Sequence, residues 1–267
     1  MRRREFLGVV GGTIVGWPLS VHAQQRTIPT IGFLSTRTSE SAAYLVAAFQ
    51  QGLKEQGYVE GQNIAIDYRW SRRDGVAAMA ADLVRRKVAV IFVGGSEVAL
   101  AVKTANTTIP TVFAGGSDPV AIGLVASVNR PEGNFTGATI ISHLLGAKRL
   151  EVLRQLVPNA RVVAILAEPN NPSTAMLIDD TQTAARAIGL QTTAFLVNSE
   201  ASLEAAFAAM ERQQVNALFV GGGPLMGNLS PRTIDLAARH GLPVMWPVRE
   251  YVEAGGLMSY GSSFPDS

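Results

Sequence analysis

Six short segments gather residue types suited to holding a small molecule. Ser35-Thr36, Gly94-Gly95-Ser96 and Gly115-Gly116-Ser117-Asp118-Pro119 each follow a run of apolar, β-prone residues. The second half of the chain repeats the arrangement with Glu168-Pro169-Asn170-Asn171-Pro172-Ser173, Gly221-Gly222-Gly223-Pro224 and Trp246-Pro247. Glycine lets the main chain come close to a bound molecule, and a helix that begins just beyond it offers free N–H groups to a carboxylate. Tight βα turns use the same residues for purely structural ends. Recurrence at matching places in both halves favours binding. Asp118 could pair with a ligand ammonium or cap a helix that includes Ile122–Val128, and Trp246 could stack on a ligand or fill the core.

The motifs of covalent and metal chemistry are missing. Gly221-Gly222-Gly223-Pro224-Leu225-Met226-Gly227 has the wrong spacing for a dinucleotide fingerprint, and the chain holds no Walker loop, H-E-x-x-H or G-x-S-x-G. No cysteine is present, which excludes disulfides and thiolate metal sites. Beyond residue 23 the histidines are His143, at the expected hinge, and His240, which ends a helix before Gly241. A hinge position and a helix terminus both give these histidines structural work, so no metal site, cofactor or histidine-based catalysis is expected; a carboxylate-based site stays open.

The elements that must position these loops alternate regularly. Strands are expected over Ile28–Leu34, Ile64–Arg69, Val88–Val93, Ile109–Ala114 and Phe135–Ile141, then over Arg161–Ala167, Leu190–Val197, Ala217–Val220, Pro243–Pro247 and Gly256–Tyr260. Most are continuous apolar runs, as in parallel strands buried on both faces. Between them Leu45, Ala48, Phe49, Gly52 and Leu53 show helical spacing, as do Val76, Met79, Ala80, Leu83 and Val84, the latter ending in the solvated run Arg85-Arg86-Lys87. Another helix is expected to start with Ser230 as N-cap and Pro231 in its first position. Five strands followed by five predict an α/β fold of two Rossmann-like lobes, residues 24–142 and 143–259, with a ligand crevice between them.

The N-terminus carries Arg2-Arg3-Arg4-Glu5-Phe6-Leu7, an uncharged stretch Gly8–Leu19, and Val21-His22-Ala23 before Gln24. This is the layout of a cleavable export signal over residues 1–23, twin-arginine-like, too short for a membrane span, with Gln24 as the new terminus. The whole chain has 23 basic and 21 acidic residues; cleavage would remove Arg2, Arg3, Arg4 and Glu5 and leave 20 of each. A neutral mature chain offers no electrostatic case for nucleic acid or for membrane insertion after cleavage.

Several phrases occur together in a familiar order: Ile31-Gly32-Phe33-Leu34-Ser35, Phe49-Gln50-Gln51-Gly52-Leu53, Gly57-Tyr58-Val59-Glu60-Gly61-Gln62-Asn63, Asp118-Pro119-Val120, Ala147-Lys148-Arg149-Leu150 and Gly256-Leu257-Met258-Ser259-Tyr260-Gly261. Across essentially the whole mature chain the sequence resembles substrate-binding proteins of ATP-binding-cassette (ABC) importers, in the branch related to tryptophan and tyrosine uptake. The resemblance implies a type I periplasmic-binding-protein fold, a periplasmic location, a small-molecule ligand, an ABC permease in the inner membrane as partner, and no catalysis. It implies ligand contacts at Ser35, Thr36, Gly95, Ser96 and Asp118 on one side of the cleft. Opposite them it implies Asn170, Asn171, Ser173, Gly222, Gly223 and Trp246. Asn and Pro in the 168–173 loop depart from the Ser-rich loop of members that hold amino acids. Residues 260–267 are expected to begin a return to the first lobe that stops short. A two-lobed hydrolase or nucleotide-sugar enzyme, and a ligand sensor for a receptor kinase, are the alternative readings.

Overall fold

In the computed structural model, residues 28–262 are described except for residues 72, 106, 107 and 141. The expected export segment 1–23, its boundary at Gln24, and residues 263–267 lie outside the described part.

All ten expected strands form. The first sheet contains β1 (Thr30–Ser35), β2 (Ala65–Trp70), β3 (Val90–Gly94), β4 (Thr111–Gly115) and β5 (Phe135–Thr139), all parallel, in the order β2-β1-β3-β4-β5. The second contains β6 (Val162–Ala167), β7 (Gln191–Leu196), β8 (Ala217–Val220), β9 (Val244–Trp246) and β10 (Met258–Ser259), in the order β7-β6-β8-β9-β10. Each half thus repeats one doubly wound topology. The helices are α1 (Ala43–Glu55), α2 (Val76–Arg85), α3 (Ser96–Ala105), α4 (Gly146–Leu156), α5 (Thr174–Ala187), α6 (Glu200–Arg212), α7 (Pro224–Asn228), α8 (Ser230–Arg239) and α9 (Glu250–Glu253).

Alternation along the strands decides what covers each face. In the second sheet Val163, Ile165, Phe219 and Met245 pack on α4 and α5 through Leu150, Leu153 and Leu177. Ala164, Leu166, Leu218 and Val244 pack the other way, on α6 and α8 through Leu203, Phe207 and Leu236. Its strands β6, β8 and β9 are accordingly buried on both sides. The first sheet is covered unequally. Leu34, Ile91, Val93 and Phe113 pack on α2 and α3, whereas the opposite face meets α1 through Phe49, which lies 5.4 Å from Phe33 and 4.6 Å from Phe92. Beyond the reach of α1, Thr136, Gly137 and Ala138 of β5 are exposed. The expectation of strands buried on both faces fails there because one short amphipathic helix cannot cover five strands.

Two local expectations also change. No α-helix forms over 122–128: Gly123 adopts φ +71°, and the amides of Leu124 and Val125 both donate to the Pro119 carbonyl, so Leu124 and Val125 reach the core from a turn. Ser230 stands inside α8 rather than capping it, and its hydroxyl donates to the Gly227 carbonyl of α7, a short helix absent from the sequence reading. The Arg85-Arg86-Lys87 run ends α2, and Arg85 and Arg86 are held by Asp82 at 2.6 and 3.0 Å. Among the described residues no helix is long and apolar enough to cross a membrane.

Candidate functional site

A cavity of about 490 Å³ opens where the carboxyl ends of the two sheets face one another and runs on across the α1 face of the first sheet. That size lies within the usual range for small-molecule sites. Of the sequence candidates, Ser35, Gly95, Ser96, Asn171, Ser173, Gly222 and Gly223 line it. Thr36, Asp118, Asn170 and Trp246 do not.

The lining candidates are held by main-chain contacts set at the strand ends. Ser35 and Gly94 are register partners on β1 and β3, and the Ser35 hydroxyl donates to the Gly94 carbonyl at 3.3 Å while accepting from the Arg37 amide at 3.2 Å. Ser96 opens α3, and its hydroxyl accepts from the Ser117 amide at 3.3 Å. Asn171 is occupied structurally. Its Nδ2 donates to Glu168 Oε1 and to the Gly222 carbonyl, each at 3.2 Å, and its Oδ1 accepts from the Ser173 amide at 3.0 Å. Gly223 sits at φ +140°, and a Cβ there would lie 1.8 Å from Glu168 Oε1, so only glycine lets this loop close on that carboxylate.

The other candidates serve behind the wall. Thr36 donates its hydroxyl to Glu97 Oε1 at 2.8 Å. Asp118 Oδ1 accepts from the amides of Val120 and Ala121 at 2.8 and 3.2 Å, which makes it the cap of a turn. Asn170 is exposed. Trp246 is wholly buried in the second core, 4.9 Å from the Tyr251 ring, and stacking on a ligand is closed to it.

Direct contacts join the two sides of the cleft. Ser173 donates its hydroxyl to the Ser117 hydroxyl. Asn228, at the end of α7, grips the β1–α1 loop three times: Oδ1 accepts from the Thr38 amide at 3.0 Å and the Ser41 hydroxyl at 2.6 Å, and Nδ2 donates to the Thr36 carbonyl at 3.1 Å.

Two charged residues line the cavity, and the sequence reading named neither. Arg37 is only 9% exposed, and its Nη1 is buried without a hydrogen-bond partner. It reaches over the second lobe at Gly227, where a Cβ would fall 1.9 Å from Nη1. Burial works against its charge, but Tyr251, Tyr44 and Glu168 around it outweigh burial and raise its pKa. Glu97, in the first turn of α3, keeps Oε2 buried and unpartnered. Each stands two residues past a site the sequence did mark, Ser35 and Gly95. Among the described residues no cluster of His, Asp or Glu could hold a metal ion.

Two doubly wound lobes face each other across a ligand-sized cavity, which is the fold of type I periplasmic binding proteins. The chain belongs to the family described as ABC transporter substrate binding protein, whose model matches residues 34–265. A conserved domain protein from Vibrio cholerae has the same fold, with TM-score 0.82 and 21% identity over 90% of this chain and 80% of that one. So does an ABC domain from Streptococcus pneumonia in complex with L-Trp, with TM-score 0.77 and 23% identity over 88% of this chain and 80% of that one. A tyrosine-binding protein of Clostridioides difficile is 23% identical over 218 residues, which are 81% of this chain and 62% of that protein's length.

Proposed function

We propose that this chain is the periplasmic ligand-capturing subunit of an ABC importer, taking up a small organic molecule of amino-acid or aromatic character and passing it unchanged to an inner-membrane permease. The observation that carries this reading is the cavity between the strand ends of both sheets, bordered by cross-lobe contacts at Ser117–Ser173 and Asn228. Its lining combines the aromatic floor of Phe33, Phe49 and Phe92 with a few polar groups, the usual make-up of a recognition pocket. The family supports the importer role, and the tyrosine and L-Trp named for two relatives support the ligand class.

The test is a thermal-shift screen of amino acids, amines and aromatic acids against the wild-type chain and against Ala114→Trp, which fills the cavity from its wall. A ligand at 100 times its dissociation constant adds about 2.7 kcal/mol. At least one compound is expected to raise the melting temperature of the wild type and not of the variant. Hits that stabilise both proteins equally, or no hit at all, would overturn the reading.

A further inference from the structure

We infer that Arg37 and Glu97 are the two charged poles of the ligand site, Arg37 receiving a carboxylate and Glu97 an ammonium, so that the cavity selects a zwitterion with an apolar body. The inference rests on the cavity being the ligand site. Its structural basis is the pair of strand ends from which the two residues arise. Ser35 and Gly94 are aligned on neighbouring strands, and Arg37 and Glu97 follow them by two and three residues. Both residues line the cavity and neither pairs with the other: Nη1 of Arg37 and Oε2 of Glu97 are each buried with no hydrogen-bond partner.

Burying a guanidinium or carboxylate atom without a partner is costly, and it persists where a further group completes the site. A guanidinium takes a carboxylate by paired N–H donors, and a carboxylate takes an ammonium through its free oxygen. One ligand bearing both groups answers both needs and keeps the cavity neutral. Positioning on each side is already provided. Thr36 fixes the other oxygen of Glu97, leaving Oε2 as the receptive one. Gly227 provides the notch in which the Arg37 guanidinium lies, because any side chain there would displace it. Phe33 and Phe92, stacked 5.0 Å apart on the adjoining sheet face, supply the apolar surface for the rest of the molecule.

Calorimetry on the full chain with three probes of one shape separates the poles: L-tryptophan carries both groups, indole-3-propionate the carboxylate alone, tryptamine the amine alone. All twenty common L-amino acids are run beside them as zwitterions of other shapes. For the tightest zwitterion and its two half-charged analogues, Arg37→Gln is expected to weaken the zwitterion and the carboxylate at least tenfold and the amine less than twofold. Glu97→Gln should do the reverse. Gly227→Ala, which keeps the Arg37 charge but fills its notch, should reproduce the Arg37→Gln pattern and guards against a variant that folds poorly. Equal losses for all three probes, no loss in either variant, or a wild type that binds no zwitterion would overturn the assignment. A cavity-dependent amine or aromatic acid in the thermal-shift screen, with no amino acid binding, would leave the cavity reading standing while refuting this one.

Discussion

Asn228 concentrates the contact between the lobes in one side chain, and Asn228→Ala should therefore weaken ligand binding without weakening the lobes themselves. Three hydrogen bonds are lost, to the Thr38 amide, the Ser41 hydroxyl and the Thr36 carbonyl. A hydrogen bond of this kind contributes about 0.5–1.5 kcal/mol net, and the one to exposed Thr38 belongs at the lower end because water replaces it readily. The sum comes to about 2 kcal/mol in favour of the lobes being together. A ligand that needs both walls binds in proportion to the population in which they meet, so its dissociation constant should rise roughly 30-fold. Neither lobe's core contains Asn228, and the melting temperature of the free chain should move little. Asn228→Asp keeps both acceptor contacts and loses only the donor to Thr36, so it should fall between the wild type and the alanine variant. Titration calorimetry with the tightest hit of the screen, paired with a melting curve of the free chain, reads both quantities. A dissociation constant within twofold of wild type in Asn228→Ala would refute the argument.

Two further outcomes are expected. Asp118→Ala should lose about 1 kcal/mol of stability, as for a lost cap, because its carboxylate holds the Val120 and Ala121 amides, and should leave ligand affinity within twofold; a tenfold loss of affinity would put Asp118 back in the site. Burial pushes the Tyr44 phenol up to about 12, so the folded chain keeps a proton that the unfolded chain releases near its ordinary value of about 10. That stability is present below pH 10 and is lost as pH rises toward 12, by roughly 2–3 kcal/mol at most. Urea melts between pH 9.5 and 11.5 should show a shallower decline in Tyr44→Phe than in wild type, and identical slopes would contradict it.

The sheets were legible because a parallel strand announces itself locally. A run such as Val162–Ala167 is apolar throughout, and its neighbours in the sheet merely complete what its own composition demands. The strand-end loops were legible for the same reason, being defined by where the runs stop. What the sequence hid depends on contacts between distant segments. Arg37 in isolation is an ordinary surface arginine near a helix start; its burial follows from Gly227 and Tyr251 lying across the cleft, 190 and 214 residues away. Trp246 divides similarly: its position at a strand end suggested a ligand contact, but strand alternation turns it toward the Tyr251 ring. The Ile122–Val128 segment misled because apolar spacing records which residues are buried and not the backbone that buries them. Gly123 at positive φ brings Leu124 and Val125 inward without a helix.

The unequal clothing of the two sheets gives the molecule one stiff jaw and one compliant jaw. Strands β6, β8 and β9 are walled in by helices on both sides, so their amides exchange with solvent only when the whole lobe opens, whereas β5 meets water along Thr136, Gly137 and Ala138. Both charged residues of the cavity are carried by the compliant jaw. When the lobes grip, the stiff one serves as a fixed anvil, and the open flank along β5 is where the other has room to yield to a guest.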